Sequence, residues 1–245
     1  MNYEPGIYSG FFLLNILNIL KNNITLKLYS KFKEMNISGL LFWNVDTQID
    51  FVDPKGKLYV PGAELLKPAW KKITELAVVK NIRVVNTADF HYGNSPEISN
   101  NPDFIETFPE HCMANTEGSK YITETEPEDP LIFDWNKEYS VSEKVLDPRN
   151  IVIRKDAFDV FKGNPYTEQI LKIISPETVV VYGVTTNVCV NDAVVGLADR
   201  VSKLLVIEDA IKELPNIPLP YSNWNRLGVQ MISSTELNTI LETAN

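Results

Sequence analysis

Cysteine, aspartate and lysine stand at the ends of apolar runs in this chain, and together they suit covalent acyl chemistry. The most telling run is VVVYGVTTNVCV, residues 179–190: a β-branched strand, a glycine, a polar turn, then Cys189 opening a helix. Free N–H groups at a helix start favour negative charge, so a thiol there is expected to lean towards thiolate. Asp46 closes a second apolar run and Lys155 a third. A carboxylate in reach of the thiol accepts its proton and returns it to a leaving amine. An ammonium beside them balances charge and favours ionised sulfur. Taken singly, Cys189 also reads as a small buried residue, and Lys155 as a surface lysine with a buried stem.

A metal is the other chemistry within reach. The chain has two histidines, His91 and His111, and Asp89 lies just before the first. Side chains at i and i+2 converge where a loop curls after a strand. Asp with His suits Zn²⁺ or another first-row divalent ion.

These groups need a frame that gathers them. The expected strands are Leu40–Val45, Ile82–Asn86, Ile151–Arg154, Thr178–Tyr182, Leu204–Ile207 and Val229–Ile232. Most are continuous apolar runs, as in a parallel sheet covered on both faces. Helical stretches alternate with them: Ala63–Lys80, Pro165–Ile174, Val188–Val201, Tyr221–Leu227 and Ser234–Glu242. Asn164–Pro165 and Ser234 are the expected caps. The alternation predicts an α/β fold: a doubly wound, mostly parallel six-stranded sheet in a three-layer, Rossmann-like sandwich. In such sheets ligands bind outside the carboxyl ends of the strands. Asp46, Asp89, His91, Lys155 and Cys189 all follow strand ends. Tyr92–Val145 is read as one long break, of the kind that is usually functional or mobile.

Length and composition set the bounds. The 245 residues fit one α/β domain, residues 38–245, preceded by an extension over 1–37. That extension carries FFLLNILNIL at 11–20 and is expected to be helical from Ser9 to Met35. The apolar run is short for a bilayer and contains two Asn, so a membrane role is not expected. A net charge of −9 argues against nucleic acid and anionic membrane as partners. Two cysteines make a disulfide framework improbable and point to the cytoplasm.

Five segments, in order, resemble the isochorismatase-like cysteine hydrolases, and their nicotinamidase branch in particular. They are VDTQIDF at 45–51, TADFH at 87–91, FPEHC at 108–112, RKDAFDVF at 154–161 and GVTTNVCV at 183–190. The resemblance implies catalytic Asp46, Lys155 and Cys189, and a metal on Asp89, His91 and His111. Zinc is the first choice, with iron or manganese as alternatives. It implies an oxyanion hole from the backbone N–H groups of Thr185 and Cys189, with a cis bond between Val184 and Thr185. Phe51 and Phe158 are then the aromatic wall for the substrate ring. The implied reaction deamidates nicotinamide, or a close heteroaromatic amide, through a thioester. The implied partners are a small-molecule amide and further copies of the chain.

Departures stand beside the match. DFHYGNSPE at 89–97 lacks the usual Pro and nearby second His, and the acidic fourth ligand is open between Glu97 and Asp103. A carbamoyl or ureido amide hydrolase of the same family is the alternative, although such relatives tend to lack the metal histidines. A non-catalytic oligomeric member is a third reading, set against the intact Asp46, Lys155 and Cys189.

Overall fold

The structure, a computed structural model, describes residues 37–243. The expected N-terminal extension lies outside the described residues except for Ile37, which opens a 3-10 turn into the first strand. Among the described residues no helix is long and apolar enough to cross a membrane.

Seven strands form one sheet: β1 (Leu40–Val45), β2 (Arg83–Asp89), β3 (Leu131–Asp134), β4 (Asn150–Lys155), β5 (Thr178–Val184), β6 (Lys203–Lys212) and β7 (Gln230–Ile232). Their spatial order is β3-β4-β2-β1-β5-β6-β7, and every pairing is parallel. The sequence led us to expect six. The extra strand is β3, four residues (LIFD) inside the supposed long loop and half-buried in its first half. A run that short has too few residues to show a period.

The helices are α1 (Ile49–Val52), α2 (Lys67–Val79), α3 (Val160–Gly163), α4 (Thr167–Ile174), α5 (Cys189–Ala198), α6 (Tyr221–Arg226) and α7 (Ser234–Thr243). Alternate residues of each central strand serve opposite layers. Phe42, Val180 and Tyr182 pack with Trp70 and Ile73 of α2 and Leu237 of α7. Leu41, Trp43 and Val181 pack with Ile170 of α4 and Val190 and Val194 of α5. Burial on both sides explains why β1 and β5 are apolar without a break.

Two caps differ from expectation. Ser233, not Ser234, caps α7: its hydroxyl accepts from the Glu236 N–H at 3.2 Å, while its own N–H donates to Glu236 Oε2 at 2.7 Å. That reciprocal pair is a capping box. The Asn164 side chain accepts the Tyr166 N–H through Oδ1 at 2.9 Å, in the turn that leads into α4, whose regular span begins at Thr167 rather than Pro165.

The strand order reverses between β1 and β5, which makes the crevice at their carboxyl ends the topological switch point. Here the two backbones come very close. Gly183 has φ +125°, and a Cβ there would lie 2.0 Å from the Val45 carbonyl oxygen. Glycine is required at this position both for conformation and for space. Gly183→Ala should therefore lower stability by about 3 kcal/mol or more. Urea unfolding measures it; a loss below about 1 kcal/mol would contradict this account of the crevice.

Candidate active site

β4, β2, β1 and β5 are consecutive neighbours, and each delivers one reactive group to the same edge. Asp89 and Lys155 are register partners at the ends of β2 and β4, so their side chains leave the same face side by side. Asp46 is the first residue beyond β1, held by its N–H to the Thr87 carbonyl at 3.2 Å. Its φ of +48° is in the left-handed region, which Asp tolerates better than most side chains. That turn aims its carboxylate back over the sheet edge. Cys189 begins α5 just beyond β5.

These groups meet. The Lys155 ammonium lies 3.0 Å from Asp46 Oδ2, in direct contact with Asp89 Oδ1, and donates to Cys189 Sγ at 3.7 Å. The acidic atoms of Asp46 and Asp89 and the sulfur of Cys189 all lie within 4.8 Å of one another. Thr87 Oγ1 donates to Asp46 Oδ1 at 2.6 Å. Asp46 Oδ2 has the ammonium in ion-pair range but receives no aligned hydrogen bond, which leaves it free to take a proton.

Burial governs the electrostatics. Lys155 and Asp89 are 1% exposed and Asp46 is fully buried. Desolvation raises Asp46 to about 6, aided by the Asp89 charge and opposed by Lys155. Burial would lower Lys155, but Asp46 and Asp89 outweigh it and raise the ammonium well above its ordinary value. Burial likewise pushes the Cys189 thiol well up, and the pull of Lys155 does not reverse it. Burial therefore opposes the lean towards thiolate expected from the helix start, and ionising the sulfur calls for a base in contact.

The turn before Cys189 has the backbone that the resemblance implied. The Val184–Thr185 peptide is cis. The N–H groups of Thr186, Val188 and Val190 are spent on Lys212 and Thr185 carbonyls, whereas those of Thr185 and Cys189 take no part in the turn's described backbone bonds. Two unspent donors flanking the sulfur suit a developing oxyanion.

Next to this group sits the second cluster. One ligand atom each from Asp89, His91 and His111 falls within 4.8 Å of the others. His111 Nδ1 lies 2.7 Å from the Pro109 carbonyl, an acceptor only, so Nδ1 carries the proton and Nε2 keeps its lone pair. Burial lowers His111 and keeps it neutral. Burial would lower His91 too, but Asp156 and the Asp89 and Glu97 charges raise it. His91 Nε2 and Glu97 Oε2 are buried without hydrogen-bond partners and face each other at 3.8 Å. Burial and Asp89 push Glu97 up to about 7. Orphaned nitrogen and oxygen lone pairs converging in an acidic pocket fit a divalent cation. Of the two open acids, Glu97 reaches the cluster. Asp103 is spent elsewhere, accepting from the N–H groups of Ile105, Glu106 and Thr107 at 2.9 Å each.

Both clusters border one narrow apolar cleft, with about 20 Å³ of open space, lined by Phe51, Phe108, Phe158, His111, Thr185 and Cys189 among others. Phe51 packs on His111 at 5.5 Å between ring centroids, and Phe158 packs on Phe108 at 5.6 Å. Larger surface clefts, between α2 and α7 and beside Arg154, contain none of the reactive groups.

Several supports were not assigned from sequence. Gln48 donates to the Asp89 carbonyl at 2.8 Å and accepts the Asp89 N–H at 2.8 Å, clamping the end of β2. Asp50 accepts the Cys112 N–H at 2.7 Å, fixing the loop that carries His111. Both lie in VDTQIDF, Gln48 just before and Asp50 just inside the short helix α1, which is the only local signal. Phe108 and Asp156 stood in quoted segments without a role.

Residues 40–217 match the isochorismatase domain family. The comparison with curated proteins found no match. Solved structures show the same fold. N-carbamoylsarcosine amidase from Thermoplasma acidophilum is 23% identical with a TM-score of 0.61, over 80% of this chain and 96% of that one. The zinc complex of pyrazinamidase from Pyrococcus horikoshii is 20% identical, TM-score 0.60, over 80% and 99%. The pyrazinamidase/nicotinamidase of Streptococcus mutans UA159 is 22% identical, TM-score 0.61, over 79% and 99%.

A resting thiol at Cys189 predicts slow alkylation by iodoacetamide at pH 7, rising only above the ordinary thiol range. Peptide mass spectrometry against pH measures it. Half-maximal alkylation rate below pH 8 would restore the thiolate.

Proposed function

The chain belongs to the isochorismatase family, and from that premise we propose that it is a metal-containing cysteine amidohydrolase. Its proposed substrate is nicotinamide or a close heteroaromatic amide, converted to the acid and ammonia. The observation that carries this reading is that Asp89 and His111 of the Asp89–His91–His111 cluster line the cleft of Cys189. An amide carbon on the sulfur then has its ring beside the metal ligands and between Phe51 and Phe158.

In the proposed mechanism Asp46 takes the Cys189 proton through Oδ2, and sulfur attacks the amide carbonyl. Lys155 holds Asp46 in line and stabilises the sulfur while its charge develops. The Thr185 and Cys189 N–H groups receive the oxyanion; losing one such donor typically costs about 10²–10³ in rate. Asp46 returns the proton to nitrogen and ammonia leaves. Water activated by the same carboxylate then hydrolyses the thioester. Asp89, His91, His111 and Glu97 would hold the metal, zinc ahead of iron or manganese, which when bound supplies a Lewis acid for a substrate ring nitrogen.

A cytoplasmic enzyme with free thiols and a homo-oligomeric assembly remain our proposals; both cysteines are free and buried. A carbamoyl-amide substrate is the competing reading, and one assay separates the two. Ammonia release from nicotinamide and pyrazinamide should exceed release from N-carbamoyl compounds, with the reverse order overturning the assignment. Cys189→Ala should lose about 10³-fold or more in kcat with its fold intact, and retained turnover would remove the thioester. Since Asp46 must be ionised to accept a proton and sits at about 6, kcat/KM should fall as pH drops through about 6. A profile flat down to pH 4.5 would show that Asp46 is not the base.

A further inference from the structure

Residues 155–158 run from the last residue of β4 into the loop beyond it, and three of them reach into the metal-competent cluster. Lys155 contacts Asp89, Asp156 Oδ1 lies 2.9 Å from His91 Nδ1, and the Phe158 N–H donates to Glu97 Oε1 at 2.7 Å. Each contact is made by a ligand atom's far side: Glu97 Oε2 and His91 Nε2 stay without partners. The segment is anchored behind by the Asp156 N–H to the Gly163 carbonyl at 3.2 Å.

His91 Nδ1 has two neighbours, Asp156 Oδ1 and Ser95 Oγ, both at 2.9 Å. They are not equivalent. A serine hydroxyl donates or accepts by rotating, so it leaves the imidazole tautomer open. An ionised carboxylate only accepts, so it requires the proton on Nδ1, and its charge makes that bond roughly twice as strong as a neutral one. With Nδ1 protonated, the lone pair is on Nε2, the atom that faces Asp89 at 4.0 Å and Glu97 at 3.8 Å.

We propose that Asp156 is the positioning residue of His91, and that through it the segment carrying the catalytic lysine also sets the metal ligands. This rests on the metal-containing reading above. Asp156 is not among the residues that line the cleft; it acts through the imidazole. Lys155 and Asp156 leave the same strand end on adjacent positions, so the ammonium that serves Cys189 and the carboxylate that serves His91 move together.

Zinc titration of the full chain against a chromophoric chelator tests this, with thermal midpoints of the metal-free proteins as controls. Asp156→Leu should weaken zinc binding about 10–100-fold, and Asp156→Asn, which keeps the shape and a neutral acceptor, by less. Ser95→Ala should have a smaller effect than either. The cobalt-loaded Asp156→Asn protein should show a shifted visible absorption band. If Asp156→Leu fails to fold, Asp156→Asn decides. Wild-type zinc binding with unchanged affinity in the Asp156 variants overturns the positioning role alone. A wild-type chain that takes up no zinc overturns it together with the metal-containing reading.

Discussion

Lys155 carries a positive charge into a place where it is 1% exposed, and that burial constrains everything around it. An ammonium taken out of water loses several kcal/mol of hydration unless opposite charges and hydrogen bonds replace it. Two carboxylates do so, one from β1 and one from β2. Their own burial demands further partners: Thr87 for Asp46, and Gln48 to hold the Asp89 backbone. The group works as a unit, and removing Lys155 leaves two carboxylates uncompensated in the interior. Its net charge is negative, which is also why a sulfur placed against it stays protonated until a carboxylate takes the proton.

The same acid surplus ties the two halves of the site together. Asp89 faces Lys155 through Oδ1 and both imidazoles through Oδ2. One carboxylate therefore balances the ammonium on one side and completes the cation-ready cluster on the other. Glu97, held near neutral pH by burial and by Asp89, is the group that a bound cation would ionise. Position and charge are shared between the two clusters rather than duplicated.

Much of this was legible in the sequence, for definite physical reasons. β1 and β5 are buried on both faces, so their composition marks them without help from periodicity, and the groups at their ends could be placed on one edge. The long segment after β2 was opaque for the opposite reason. Its one strand, β3, is four residues long, too short to show a period. Glu97 and Asp103 look alike as text; only the fold shows one turned to His91 and the other closing its own loop. The helix start at Cys189 is visible in sequence, whereas the depth at which the sulfur sits, which raises the thiol, is not.

The sheet's outermost strands are β3, with four residues, and β7, with three. Unsatisfied amides along a sheet margin invite another polypeptide to add itself as an extra strand, and the invitation grows with the length of the margin. Here the six-, seven- and ten-residue strands lie inside, and the rims are stubs. Among the described residues, backbone ladders between copies therefore have little rim on which to grow.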